Sequence, residues 1–196
     1  MSKIQYDSIF VCQLKTTCYQ NDESFNNKEV IEFGGCLLNI KTLQTYDPFS
    51  LIVKPNGEVT PYCTKRTGLT PDDVSSGVSF IDLLGYIEEV YGISSRPWAS
   101  YGSFAKHVLE IQCQKENIIF PLSDRFLNVK SLFPVIFNLY QEVSLRDALK
   151  KLSLEIPDGD DCRDDAINTS IVLRESMRGP GMLRKKENFV TCMTKR

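Results

Sequence analysis

Two polar side chains near the end of the first apolar segment have the spacing to take part in chemistry. Residues 9–18 begin as a β-branched and aromatic run, which predicts a buried first strand. Gln13 and Lys15 stand two residues apart, so they point to the same face of that strand. Many enzymes that cut phosphate esters place an acidic pair that holds metal at such a position. Because neither residue is acidic, this strand end lacks the ligands that the chemistry requires.

The composition predicts one globular domain without a membrane segment. The 196 residues are 42% hydrophobic, a chain long enough to bury a substantial core. No apolar run approaches the roughly 20 residues of a membrane span, and residues 1–6 lack the apolar stretch of a signal peptide. We therefore expect a cytoplasmic or nuclear protein with no membrane partner.

Cysteine spacing and net charge exclude further classes. The seven cysteines are an odd number without a Cys-x-x-Cys pair, which argues against both a zinc site and a disulfide framework and predicts reduced thiols. The net charge of −2 gives no global indication of nucleic-acid binding. Any basic binding surface must therefore be local.

The order of the predicted elements indicates an α/β fold with a mixed sheet. Residues 1–178 form the expected domain, and residues 179–196 form a basic tail that we expect to be flexible. A hairpin of the second and third strands is expected, with Gly34 and Gly35 at a bulge or a close backbone approach. Predicted strands cover residues 9–18, 29–40, 46–53 and 98–101, and predicted helices cover parts of 64–74, then 80–90, 104–116, 125–140, 145–152 and 164–177.

Five segments between residues 8 and 177 resemble, in the same order, motifs of the DEDDh 3′-to-5′ exonucleases. The resemblance is to the branch that trims histone mRNA ends and small interfering RNAs, and it implies a ribonuclease H-like mixed β-sheet flanked by helices. The matching segments are Val-Ile-Glu-Phe-Gly at 30–34, Thr-Gly-Leu-Thr with Val74 at 67–74, Gly-Ser-Phe at 102–104 with Ile-Gln-Cys at 111–113, Ser-Leu to Leu at 144–152, and Asp-Asp-Ala at 164–166.

The resemblance implies a chemistry for which most residues are missing. The family uses four carboxylates to hold two divalent cations about 4 Å apart and a histidine as general base. Gln13 and Lys15 replace its Asp-x-Glu pair, Ala105 replaces an aspartate, and Asp160 replaces the histidine. Asp165 alone is retained. Each unit charge at ~4 Å is worth roughly 4 kcal/mol at an effective dielectric constant near 20, so the resemblance implies a degenerate site without a metal cofactor.

Several of these residues have two interpretations. Lys15 could bind an RNA phosphate, but we favour an ion pair between Lys15 and Asp165, because buried charges are usually paired. Asp165 could be a remnant metal ligand, although a partner of Lys15 or an acid at a helix N-terminus is the favoured interpretation. His107, the single histidine, is expected to be an ordinary helix residue. Asp160 could act as a base but fits an acidic surface turn better.

Aromatic and basic residues give candidates for nucleic-acid binding. Aromatic side chains bordering the implied cleft could stack on bases, although core packing is favoured for Trp98 and Phe104. The basic residues of the tail could contact phosphates, although a solvated charge run is the commoner state. The candidates are Lys15, Tyr19, Tyr101, Phe104, Arg184, Lys185 and Lys186.

Two hypotheses about function follow. The leading one is a non-catalytic, exonuclease-like component of an RNA-processing or RNA-silencing assembly that binds a protein partner or single-stranded RNA and needs no cofactor. The alternative is an active, divergent 3′-to-5′ exoribonuclease that uses Mg²⁺ or Mn²⁺ and recruits Glu29, Glu32 or Asp164. Homodimerisation stays open, since the sequence contains no coiled coil.

Overall fold

A mixed five-stranded sheet forms the centre of the computed structural model, which describes residues 6–21, 24–154 and 159–179. The strands lie in the order β3-β2-β1-β4-β5. The first three are antiparallel neighbours, while β4 is parallel to β1 and β5 is parallel to β4. Their bounds are β1 Ser8–Thr16, β2 Val30–Asn39, β3 Thr45–Ile52, β4 Trp98–Ser100 and β5 Phe126–Asn128.

Seven helices of the described residues surround this sheet. The three segments α1, α2 and α3 follow β3, the helix α4 connects β4 to β5, and the last three follow β5. Thr70 caps α2 and Ser144 caps α6, because each hydroxyl accepts a hydrogen bond from the first-turn backbone. The helices are α1 Pro61–Thr67, α2 Pro71–Ser75, α3 Phe80–Tyr91, α4 Phe104–Lys115, α5 Val129–Phe137, α6 Leu145–Lys151 and α7 Cys162–Arg178.

The helix predicted over residues 125–140 is wrong at its beginning. Residues 126–128 form the edge strand β5, and Asn128 then caps α5 through its side chain. Pro134 lies inside α5, which ends before Asn138 in the left-handed conformation with φ of 53°. A short apolar run carries no periodicity that separates strand from helix, so pairing with β4 decided its state.

The β2–β3 hairpin is confirmed, and it contains the expected irregularity. The register shifts between Gly35 and Leu37, where a Cβ on Gly35 would lie 2.6 Å from the Phe49 ring. The missing side chain therefore lets that ring pack on the strand.

The two faces of β1 pack into two different cores. Phe10 and Cys12 belong to the cluster that includes α3 and α4, whereas Ile9 and Val11 belong to the cluster that includes α5, α6 and α7. Because strand side chains alternate, the odd-numbered residues of β1 face α7. Gln13 and Lys15 continue that row beyond the apolar part of the strand.

In the described residues, none of the helices is both long and apolar enough to span a membrane. The six cysteines that the structure describes are all free thiols.

Candidate functional site at the end of the first strand

Gln13 connects β1 to α7 where the family motif has a carboxylate. Its Nε2 donates a hydrogen bond of 2.7 Å to Oγ1 of Thr169, which is fully buried. An amide in this position can hold two elements together by a neutral hydrogen bond. The Gln13 side chain carries no negative charge, and its amide nitrogen already donates the hydrogen bond to Thr169.

Lys15 forms an ion pair with Glu32 on the neighbouring strand. Its Nζ lies 3.0 Å from Oε2 of Glu32 and also donates to the backbone carbonyl of Asp160. The antiparallel register places Lys15 directly opposite Glu32, and opposed side chains on one sheet face are close enough to interact. The expected pair of Lys15 with Asp165 is therefore wrong, because the sheet supplies a nearer carboxylate.

Glu32 is buried and fully engaged. Only 3% of the residue is exposed, and its second oxygen, Oε1, accepts hydrogen bonds from the Ser50 hydroxyl at 2.8 Å and the Cys162 amide at 2.9 Å. The Cys162 amide begins α7, so this carboxylate also interacts favourably with the positive end of the helix dipole. Glu32 thus joins β2, β3, β1 and α7.

The pair keeps Lys15 positively charged. Desolvation alone would lower the pKa of Lys15, but the hydrogen bond and negative charge of Glu32 raise it above its ordinary value. A cation is thereby fixed at the point where a metal site needs a ligand. The positive side chain is held between two strands and the loop before α7.

Asp165 lies in the first turn of α7, close to these charges. Desolvation raises the pKa of its carboxyl group above the ordinary value, the charge of Lys15 opposes this shift, and Asp160 and Glu32 add to it. Within the described part of the chain, no cationic nitrogen forms an ion pair with Asp165. Asp165 therefore lies near other carboxylates, and the nearby cation Lys15 is paired with Glu32 instead.

Ala105 occupies the third position at which the resemblance implies a carboxylate. It lies in the first turn of α4 and is 3% exposed. Its methyl group packs and cannot bind a cation. The residues that are present therefore do not fit a two-metal centre, since Gln13, Lys15 and Ala105 stand where three of four acidic ligands would be needed. Across the described residues, no group of three or more His, Cys, Asp or Glu side chains could hold a metal ion.

The acids that could be recruited instead have structural partners. Glu29 accepts hydrogen bonds from the Asn56 and Gly57 amides at 2.6 Å and 3.2 Å, which closes the turn after β3. Asp164 lies 3.4 Å from Nε of Arg163. Glu32 is bound as described above. Each would have to leave its partners to bind a cation.

A groove of about 530 Å³ opens beside Lys15, at the end of β1. It lies between the β1 end, α1, the start of α4 and the short 3₁₀ turn Phe25–Asn27. No acidic side chain is among its described lining residues. The lining includes the cations Lys15, Lys28 and Arg66 and the aromatic residues Tyr19, Phe25, Tyr62 and Phe104.

Phe104 and Trp98, both expected in the core, differ in burial. Core packing is confirmed for Trp98, which is fully buried and donates from Nε1 to the Ser123 carbonyl at 2.8 Å. For Phe104 the core interpretation is wrong, because the residue is 41% exposed and lines the groove. Its ring stands 5.6 Å from the ring of Phe25. Phe104 therefore presents an aromatic surface to the groove.

The two groove cations other than Lys15 have no carboxylate partner in the described chain. Arg66 donates to the Tyr62 hydroxyl at 3.3 Å and lies over the Tyr62 ring at 5.9 Å. Lys28 follows the 3₁₀ turn. Sequence reasoning missed Lys28, Arg66, Phe25 and Tyr62, because these residues come from two separate segments and show no local motif.

Other candidates lie elsewhere or outside the described residues. Tyr101 donates to the Val143 carbonyl at 2.9 Å and packs with the α5–α7 core, so it does not line the groove. His107 is exposed on α4 with its ring 5.6 Å from Phe25, as expected of an ordinary helix residue. Asp160 is exposed, and its backbone carbonyl serves Lys15. Arg184, Lys185 and Lys186 lie outside the described residues.

The curated proteins to which the chain is similar are exoribonucleases. The chain is 25% identical over 196 residues to 3′-5′ exoribonuclease 1 of Homo sapiens, a match that covers 94% of this chain and 56% of the relative. The corresponding protein of Rattus norvegicus is 26% identical over 162 residues, covering 76% and 47% of the two chains. The chain thus spans about half the length of the curated relatives it matches. No family model matches it.

Solved structures share the fold. The nuclease domain of 3′hExo, a DEDDh family member bound to rAMP, superposes with a TM-score of 0.78 at 24% identity, covering 90% of this chain and 94% of that domain. A structure described as 3′-end specific recognition of a histone mRNA stem-loop by 3′-exonuclease gives a TM-score of 0.76 at 24% identity, covering 88% and 82%. The ribonuclease H-like fold predicted from the sequence is confirmed.

Proposed function

The chain is a homologue of 3′-5′ exoribonuclease 1 with an exonuclease-like domain, and from this premise we propose that it binds single-stranded RNA ends without cutting them. The observation that supports the proposal best is the Lys15–Glu32 ion pair. It puts a half-buried cation and a satisfied, buried carboxylate at the strand end where a two-metal nuclease needs acidic ligands.

The loss of catalysis follows from charge. The charge of Lys15 alone would repel a divalent cation by roughly 8 kcal/mol, taking ~4 Å and an effective dielectric constant near 20. Glu32 offsets part of this repulsion from its place beside Lys15, but it could become a metal ligand only by breaking its bond to the Cys162 amide and leaving Lys15 without a counter-charge. Breaking a buried pair on one side costs about 3–5 kcal/mol. An active enzyme would have to meet both costs before any chemistry began.

RNA binding is supported by the lining of the groove. It combines cations with aromatic side chains and contains no described acid. Cations attract the phosphate backbone in a salt-dependent way, and a base stacked on an aromatic ring contributes about 1–3 kcal/mol. A 3′-exonuclease described as recognising the histone mRNA stem-loop has this fold, which supports RNA binding by a domain of this kind.

The competing hypotheses have less support. A divergent exonuclease would need Glu29, Glu32 or Asp164 as ligands, and each already has structural partners. A purely protein-binding component would not need a groove whose described lining combines cations and aromatic side chains without an acid. Salt dependence separates the two binding versions, because RNA binding should weaken steeply as salt rises.

We expect no metal-dependent cleavage of RNA by the pure protein. A 5′-labelled single-stranded RNA incubated with Mg²⁺ or Mn²⁺ should keep its length on a denaturing gel, because the ligand set is incomplete. As a matched pair, Asp165→Ala and Asp124→Ala each remove one exposed carboxylate, but only Asp165 lies at the site. Stepwise shortening that Asp165→Ala abolishes and Asp124→Ala leaves intact would contradict the proposal.

We also expect Phe104→Ala to weaken RNA binding about tenfold, since loss of one stacking surface removes about 1–3 kcal/mol. The measurement is fluorescence anisotropy with a short single-stranded RNA in EDTA, so that metal plays no part. Tyr140→Ala is the control, because Tyr140 is a fully exposed aromatic residue that does not line the groove. Equal affinity of both variants for RNA would remove the groove from consideration as the binding site.

A further inference from the structure

We propose that the groove prefers an RNA 3′ end that carries a phosphate monoester over one that carries a hydroxyl group. This inference rests on the proposed function and deepens it, since it names the chemical form of the end that is bound. The geometry behind it is the placement of Lys28 and Arg66, which have no acidic partner among the described residues, around a groove whose described lining contains no acid.

Among the described residues of the groove, two positive charges have no compensating acid. Lys15 is offset by Glu32 at 3.0 Å, and its Nζ also serves the Asp160 carbonyl. Lys28 and Arg66 have no acidic partner among the residues of the described ranges. The described lining of the groove therefore holds more positive charge than its own side chains neutralise.

The two kinds of RNA end differ in the charge that they bring. A phosphate monoester carries about −1.5 to −2 near pH 7, because its second pKa is about 6. A phosphodiester linkage carries one negative charge, and a terminal hydroxyl adds none. A 3′ phosphate thus adds nearly two charges at the end of the strand, which matches the two unpaired cations.

Arg66 is suited to bind that group. The guanidinium fork can donate two parallel hydrogen bonds to one phosphate, which a lysine cannot do. Its position is already restricted, because it lies over the Tyr62 ring at 5.9 Å and donates to the Tyr62 hydroxyl at 3.3 Å. A restricted side chain loses less conformational freedom when it binds a ligand.

The groove also has room and a surface for the terminal nucleotide. Its volume of about 530 Å³ lies in the range of small-molecule sites. Phe104 and Phe25 form an aromatic wall on one side, and Arg66 comes from α1 on another. A base on the aromatic wall and a phosphate beside Arg66 would engage both kinds of group at once.

We infer from a related structure that the 3′ end of the RNA is the end that enters the groove. One solved structure of this fold is described as 3′-end specific recognition of RNA. If this groove receives the same end, then the group that meets Lys28 and Arg66 is the 3′ terminus. A 5′ phosphate on the same strand would then lie away from the groove.

The experiment compares three RNAs of one sequence in EDTA: one with a 3′ phosphate, one with a 5′ phosphate and one with hydroxyl groups at both ends, each with an internal label. We expect the 3′-phosphorylated RNA to bind about tenfold more tightly than the other two, the gain of one charge-assisted interaction. Arg66→Gln should remove this preference. Lys65→Gln makes the same charge change at the neighbouring exposed position, which does not line the groove, and should retain the preference.

The outcomes distinguish this inference from the proposed function. If all three RNAs bind equally and Phe104→Ala still weakens them, RNA binding stands and the phosphate preference is overturned. If the 5′ phosphate gives the same gain as the 3′ phosphate, the assignment of the end is overturned. If none of the RNAs binds, the proposed function itself fails, whereas RNA binding that does not depend on Phe104 removes the groove as the binding site and overturns this inference.

Discussion

Glu32→Gln is expected to lower the free energy of unfolding by about 3 kcal/mol, the lower end of the cost of breaking a buried ion pair. The substitution keeps the shape of the side chain but removes its charge. Lys15, whose side chain is 18% exposed, then loses its counter-charge, and the Cys162 amide loses a charged acceptor. In a domain of this size the melting temperature should fall by roughly 6–12 °C.

A double-mutant cycle separates the pair from the other roles of Glu32. Lys15→Met removes the cation and leaves Glu32 charged and buried, so it should also destabilise the protein. The double variant Lys15→Met with Glu32→Gln should lose less free energy than the sum of the two single variants, because it leaves no unpaired buried charge. Urea unfolding of the four proteins gives the coupling energy.

Glu142→Gln is the matched control for this prediction. Glu142 lies 3.5 Å from Lys130, and both side chains are close to half exposed. An exposed pair of this kind contributes at most about 1 kcal/mol. If Glu32→Gln cost no more than Glu142→Gln, the Lys15–Glu32 pair would not be a buried structural element, and the main electrostatic argument against metal binding would fail with it.

The sequence determines the side of the sheet on which the site residues lie. Alternation along β1 places Gln13 and Lys15 on one face, and the structure shows that face packed against α7. The resemblance of five short motifs gives the correct fold, because their order follows the order of the elements. The cap at Thr70 follows from local chemistry, since a hydroxyl three residues before an acid forms a capping box.

The partner of Lys15 could not be read from the sequence, because it depends on strand register. Glu32 is 17 positions away, and only the antiparallel pairing sets it opposite Lys15. Asp165 was the more obvious candidate, since the family motif brings it to the same site. A one-residue change of register would have turned Glu32 to the other face of the sheet.

The groove was also beyond sequence reasoning. Its cations come from the end of β1, the residue after the 3₁₀ turn and the last turn of α1. Within its own segment, each of these cations is predicted to be an ordinary surface charge. The sequence likewise predicts Phe104 to be a core residue. Its exposure could not be predicted, because it depends on which residues pack around the start of α4.

Gly34→Ala is expected to be the most damaging small substitution in the chain. A Cβ at Gly34 would lie 2.0 Å from the backbone carbon of Cys162, 2.2 Å from its oxygen and 2.3 Å from the Arg163 nitrogen. These are backbone atoms at the start of α7, which cannot rotate away as a side chain would. We expect a loss of more than about 3 kcal/mol, above the usual range for overpacking, measured by urea unfolding.

The reason for this sensitivity links the strand to the site. Gly34 pairs with Gln13 across the sheet, so its bare surface is what allows α7 to begin directly on β2. Displacing α7 would lengthen the hydrogen bond from the Cys162 amide to Glu32, and it would move Asp165 away from Lys15. An amide exchange experiment should therefore show faster exchange at Cys162 in Gly34→Ala than in the unmodified protein.

Gly85→Ala provides the control, because the same substitution there should have the opposite sign. Gly85 lies inside α3 on its exposed side, and a Cβ at this position meets nothing within 4 Å. Alanine in an open helix interior is favoured over glycine by about 0.5–1 kcal/mol. A Gly34→Ala protein as stable as the Gly85→Ala protein would mean that β2 and α7 do not touch at this point, and the geometry that brings Glu32, Cys162 and Lys15 together would then be wrong.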